Sequence, residues 1–235
     1  MTIPTSHPSP GSSRAGSTGD AGSGRLRPDQ RIISSLVPTG SRVLDLGCGD
    51  GLLLRHLMDE RDCLGTGVDA ATDELITAAA MGVPVVQLDL DADLGEFHDD
   101  SYDVVVLSRT LQAVPRPGEV LRQMARIGTT LIVSMPNFGY WRNRLRLISG
   151  HMPVSRDLPF QWHNTPNVRY STVADLEAWF AAEGLDVLTR ISLAEHGRPT
   201  RGARLAPNLL AGSTIHVLRS NWTPTPPASP VPETP

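Results

Sequence analysis

The 235-residue chain carries 21 basic and 25 acidic residues, and its net charge of -4 argues against a general nucleic-acid binder. The length suits one α/β domain of ordinary size, and no window approaches the roughly 18 apolar residues of a membrane span. Its two cysteines, Cys48 and Cys63, offer no disulfide framework and suit a reducing, cytoplasmic compartment.

Residues 1–24 are almost entirely Ser, Gly, Thr, Pro and Ala, too poor in apolar groups to order themselves. They also lack the basic start and apolar core of a signal peptide. Residues 28–36 read as a lead-in helix, with Pro28 at a first helical position and apolar Ile32, Ile33 and Leu36. A strand over 42–46 then breaks into the stretch the chain is organised around, Val-Leu-Asp-Leu-Gly-Cys-Gly-Asp-Gly at 43–51. Gly47, Gly49 and Gly51 let the backbone turn tightly and leave no side chain between the main chain and a ligand.

The residues around those glycines decide the ligand. A P-loop needs a Lys after its second glycine, and every basic residue here is Arg. A dinucleotide loop wants a third glycine where Leu52 stands. What remains is Asp45, two residues before the first glycine, which can face a cationic or amine-bearing ligand. The pattern resembles the D-x-G-x-G-x-G loop of class I S-adenosylmethionine (SAM) methyltransferases. Cys48 reads as a small residue that fits the loop.

A helix over about 51–60 and a strand over 64–68 follow, ending at Asp69, where an acid can accept both hydroxyls of a ribose. A helix over 72–81 takes Thr72 as its cap and Gly82 as its stop. The next strand, 84–88, ends at Asp89. In the SAM fold an acid here receives the adenine amino group while its apolar neighbour, Leu90, packs on the ring. The remaining acids between Asp89 and Asp103 read as solvated surface. The near-continuous apolar run 102–107 is a buried strand that delivers Ser108 and Arg109 to the edge carrying the glycine loop. A helix from Pro117 to a stop at Gly128 and a strand over 130–134 complete an alternation that predicts a doubly wound sheet, with its ligand at the switch point.

The alternation then breaks. Residues 135–170 hold six of the chain's 11 aromatic residues, five arginines and one acid, Asp157. This insertion, to about residue 171, reads as a lid or substrate wall over the cofactor, or as a docking surface. A helix capped by Ser171 or Thr172 and two strands, 187–193 and 214–219, close the domain. The basic loop between those strands is too short for an ordinary crossover helix, so they are expected to be antiparallel. Residues 222–235, with six prolines, read as an extended tail. The expectation is thus an α/β domain over 25–221, a doubly wound, seven-stranded, mostly parallel sheet whose last strand is antiparallel.

Several stretches together are similar to the MetW family of methionine-biosynthesis proteins, built on the SAM methyltransferase fold. They are VLDLGCGDG, QLDLD, VVVLSRTLQAV, SMPNFGYW, MPVS, NTPN and PNLL. Arg109 stands where that family often has Gln, and His163 where Tyr is expected. The resemblance implies SAM or S-adenosylhomocysteine as ligand, held by Asp45, Gly47, Gly49, Gly51, Asp69, Asp89, Leu90 and Ser108. It also implies homoserine O-acetyltransferase as a partner whose activity the protein supports. Methyl transfer is implied less strongly, because Ser108-Arg109-Thr110-Leu111 is not the Asn/Asp-Pro-Pro-aromatic sequence that positions a planar amine. Two readings stand: an accessory or regulatory SAM-binding subunit, or an enzyme methylating a small acceptor walled by Arg109, Tyr140, Trp141 and His163. His151 or His163 would be its candidate base.

Overall fold

The structure, a computed structural model, describes residues 24–92, 94–195, 197–199 and 201–220. The two expected tails lie outside the described residues, save Gly24. Seven strands form one sheet: β1 (Arg42–Leu46), β2 (Leu64–Asp69), β3 (Val85–Gln87), β4 (Tyr102–Ser108), β5 (Gly128–Pro136), β6 (Leu185–Leu193) and β7 (Ser213–Ser220). Their order is β3-β2-β1-β4-β5-β7-β6. The first five are parallel, whereas β7 runs antiparallel to both β5 and β6. After β3 the chain returns to the other side of β1, which makes the gap between β1 and β4 the switch point.

The alternation of side chains along the central strands sorts the core into two layers. Leu44, Leu46, Val105, Leu107, Leu131 and Val133 point to the face covered by α4 (Pro117–Ile127) and α6 (Val173–Ala182), where Leu121, Met124 and Phe180 are buried. Val43, Val104, Val106 and Ile132 point to the face covered by α1 (Pro28–Leu36), α2 (Leu52–Arg61) and α3 (Thr72–Ala80). Because both faces are covered, these strands read as unbroken apolar runs. No described helix is long and apolar enough to cross a membrane.

Three local expectations change. Ala71, and not Thr72, occupies the N-cap of α3; the Thr72 hydroxyl instead accepts a hydrogen bond from Gln87 Nε2 at 2.9 Å. The insertion contains a helix, α5 (Trp141–Ile148), that its mixture of aromatics and arginines disguised. The segment between β6 and β7, expected as a loop, holds two short helices, α7 (Arg201–Leu205) and α8 (Pro207–Leu210). Each is about one turn long, too short to carry the chain back along the sheet for a parallel crossover, so the antiparallel pairing stands.

Candidate functional site

The glycine loop leaves β1 with Gly47, Gly49 and Gly51 all in the left-handed region, at φ of 76°, 55° and 76°. The N–H groups of Gly47 and Cys48 both donate to Val68 O, at 2.7 and 3.0 Å, which pins the turn to the end of β2. Each glycine answers a different constraint. A Cβ at Gly47 would lie 2.4 Å from Thr110 Oγ1, and one at Gly51 would lie 2.7 Å from Ala78 Cβ, so these two permit β4–loop and α3–loop packing. A Cβ at Gly49 would meet nothing closer than Glu74 Oε2 at 4.0 Å. Only Gly49 opens onto free space. The Cys48 side chain is buried in the same packing, and burial raises its thiol pKa well above the usual range.

A cleft of about 380 Å³ lies over the switch point. It is lined by Asp45, Gly47, Gly49, Asp69, Asp89, Leu90 and Ser108, whereas Gly51 faces α3. Both oxygens of Asp69 accept backbone hydrogen bonds, Oδ2 from Gly49 and Oδ1 from Ala71, each at 2.9 Å. Asp89 Oδ1 accepts from the Asp91 N–H at 3.0 Å. Asp45 is 3% exposed, and its Oδ1 has no hydrogen-bond partner among the described residues. Burial pushes the Asp45 pKa up to about 7; Arg27 opposes this, and Asp69 and Asp50 add to it. A buried carboxyl with an unpartnered oxygen is costly unless a donor or cation arrives.

Arg109 lies on the same wall with its own backbone in the left-handed region, φ 57°. Its N–H donates to both the carbonyl and the hydroxyl of Ser134, at 3.1 and 3.0 Å. Its guanidinium bridges two buried carboxylates: Nε lies 3.0 Å from Asp29 Oδ2 of α1, and Nη2 lies 2.8 Å from Asp157 Oδ1 of the insertion. Burial works to raise the Asp29 pKa, but the charges of Arg109 and Arg27 outweigh it and hold it below the usual carboxylate range. At Asp157 burial prevails over Arg109, with Asp29 and Glu195 adding to it, and the pKa is raised. Arg109 is therefore a clamp that joins the first helix, the end of β4 and the insertion.

The other three acceptor-wall candidates do not line the cleft. Tyr140 is buried at the start of α5 with its ring centroid 5.9 Å from that of Trp141, and Trp141 is 37% exposed. His163 is exposed, its Nε2 3.0 Å from Gln161 Oε1, and His151 is exposed as well. The cleft instead gains residues that sequence reasoning did not select. Arg25 and Arg27 come from the approach to α1 and Gln30 from its first turn; Gln112, Phe160 and Asn167 come from beyond β4 and from the insertion. Arg27 Nη2 reaches to 3.4 Å from Ser108 Oγ, a contact spanning 81 residues. No local pattern reveals such a contact; the available signal was a pair of arginines directly before a helix that begins with Pro and Asp.

A seven-stranded sheet in this order, with a glycine loop and acids at successive strand ends, defines the class I SAM-dependent methyltransferase fold. Solved structures of that class superpose on the chain. A SAM-dependent methyltransferase from Thermotoga maritima gives a TM-score of 0.60 at 16% identity over 81% of this chain and 86% of that one. The magnesium protoporphyrin IX methyltransferase of Synechocystis, solved with bound S-adenosylhomocysteine, gives 0.57 at 17% identity over 82% and 84%. Within this class the chain belongs to the MetW family, described as methionine biosynthesis protein MetW, whose model matches residues 27–218. The bifunctional methionine biosynthesis protein MetXA/MetW of Rhodopirellula baltica is 40% identical over 161 residues, 64% of this chain. The match spans only 26% of that longer relative. A ubiquinone biosynthesis O-methyltransferase of Pseudomonas fluorescens strain Pf-5 is 30% identical over 77% of this chain and 79% of its own length.

Proposed function

We propose that the cleft binds SAM or S-adenosylhomocysteine, and that the protein supports homoserine O-acetyltransferase in methionine biosynthesis as an accessory or regulatory subunit in the cytoplasm. The observation that carries the ligand reading is the unpartnered Asp45 carboxyl beside Gly49, the one loop glycine that opens onto free space. Seven acids against three arginines line the cleft, which suits a sulfonium with its ammonium group and opposes the pyrophosphate of a dinucleotide. In this reading Asp45 takes the ammonium, Arg27 the carboxylate, Asp69 the ribose hydroxyls, and Asp89 with Leu90 the adenine. When bound, SAM supplies a methyl group activated by its positive sulfur.

The accessory role rests on two observations. The candidate acceptor-wall residues Tyr140, Trp141 and His163 lie away from the cleft. A relative is a bifunctional MetXA/MetW protein, which joins the two in one chain. The alternative, methyl transfer to a small acceptor, draws on the part of the cleft that runs past the glycine loop to Gln112, Phe160 and Asn167.

Calorimetry with SAM, S-adenosylhomocysteine and NAD tests the ligand, and acetyltransferase assays with and without this protein test the role. SAM binding that Gly49→Val abolishes, together with a rise in acetyltransferase activity, supports the proposal. Tight NAD binding, or SAM binding indifferent to Gly49→Val, overturns the ligand reading. Methyl release with no effect on the acetyltransferase would move the assignment to the enzyme.

A further inference from the structure

Helix α5 is built inside out. Its one buried residue is Asn143, whose Nδ2 donates to the carbonyls of Asn137 and Phe138 at 3.2 and 3.3 Å. Successive helical residues turn by about 100°, so Trp141, Leu145 and Ile148 share a stripe about 60° wide while Asn143 faces the opposite way. That stripe points outward: Trp141 is 37% exposed, Leu145 55% and Ile148 82%. A helix held by polar bonds, the Asn143 amide and the Arg144 Nε bond to Gly139 O at 2.6 Å among them, that leaves Leu145 and Ile148 in water gains little from burying its stripe, and such a surface marks a contact site.

We propose that this outward face of α5 is the surface on which the homoserine O-acetyltransferase docks, an inference that rests on the partner reading above. The chemistry it calls for is an apolar patch with a carboxylate placed to meet Arg144. Arg142 and Arg144 flank the stripe on either side; Arg142 already pairs with Glu195 at 2.6 Å, whereas Arg144 has no carboxylate partner among the described residues, and the only acid between residues 135 and 170, Asp157, is buried. Other occupants match this face poorly. A second copy meeting it across a two-fold axis would bring the unpaired Arg144 against the same arginine-bearing helix and supply no new carboxylate beyond Glu195, which Arg142 already holds. The chain outside the described ends, residues 1–23 and 221–235, offers only Asp20 and Glu233 as acids.

The test uses the full chain with Ile148→Glu, which alters an exposed side chain, and Ile76→Glu on α3 as the control, where Ile76 is 63% exposed. Binding to purified homoserine O-acetyltransferase is measured by biolayer interferometry, SAM affinity by calorimetry, self-association by sedimentation, and binding to vesicles of anionic phospholipid by flotation. The expected result is acetyltransferase binding weakened at least about tenfold by Ile148→Glu and unchanged by Ile76→Glu, with SAM affinity equal in all three proteins. Wild-type binding that Ile148→Glu leaves intact overturns the surface while sparing the partner. No wild-type binding at all overturns the partner reading itself. Loss of a wild-type dimer, or of vesicle binding, in Ile148→Glu alone would give the face to a second copy or to a membrane and overturn the proposal.

Discussion

Asp69 accepts the Gly49 N–H through Oδ2 at 2.9 Å, so the acid at the end of β2 holds the loop glycine whose missing side chain leaves free space. Its other oxygen accepts the Ala71 N–H and fixes the turn into α3. The carboxylate is thus oriented before any ligand arrives, which reduces the ordering cost of binding. Asp69→Ala should release the loop as well as remove the hydroxyl acceptors. We expect SAM affinity to fall at least about 100-fold, the equivalent of roughly two charge-assisted hydrogen bonds. Calorimetry showing a loss under about threefold would refute this role.

Gly47 should tolerate no side chain, because a Cβ there would meet Thr110 Oγ1 at 2.4 Å and the backbone is left-handed. Gly47→Ala should destabilise the fold by about 2 kcal/mol or more in urea unfolding. Thr110→Ala removes the nearest clashing atoms, so in that background the same substitution should cost measurably less. An equal cost in both backgrounds would assign the whole effect to backbone strain.

Arg109 serves two buried acids at once, and its removal strands Asp157 and leaves Asp29 with Arg27 alone, 3.4 Å away. Arg109→Ala should cost about 3 kcal/mol, as breaking a buried ion pair from one side does. Asp157→Asn should cost less, since burial already resists ionisation of Asp157. Chemical denaturation of the two variants would show the order, and a larger loss in Asp157→Asn would be inconsistent with the clamp.

The Asp45 carboxyl, with its pKa pushed up to about 7, binds a proton in the folded state over a pH range where the unfolded chain has released it. Fold stability without ligand should therefore fall as the pH rises from about 4 to about 7, and Asp45→Asn should remove that part of the fall. The two proteins should unfold alike near about pH 4, with the variant the more stable near about pH 8. A cationic ligand favours the ionised carboxyl, so SAM binding should release a proton around neutrality. Calorimetry in buffers of different ionisation heat would detect it, and proton uptake would contradict the assignment.

The central architecture was legible because its signals are local. The glycine spacing at 47–51, the acids at 45, 69 and 89, and the apolar runs of β1 and β4 fix each element within its own few residues. The helix α1 and strand β1 keep the bounds that periodicity and turn residues predict, and the antiparallel closing strands follow from the length of their connection. Tertiary structure alone decided the rest. Gly51 faces α3 instead of the cleft because Ala78, 27 residues on, packs against it. Arg109, a plausible wall for an acceptor, is drawn into a clamp by Asp29 and Asp157, each distant in sequence. The helical stripe of α5 is present in the chain, but periodicity shows only that an apolar face exists. Which way that face points was set by the Asn143 amide bonding the turn after β5, a few residues back, and by that turn's own anchor, Asn137 Nδ2 donating to Ala211 O 74 residues on, which periodicity does not report.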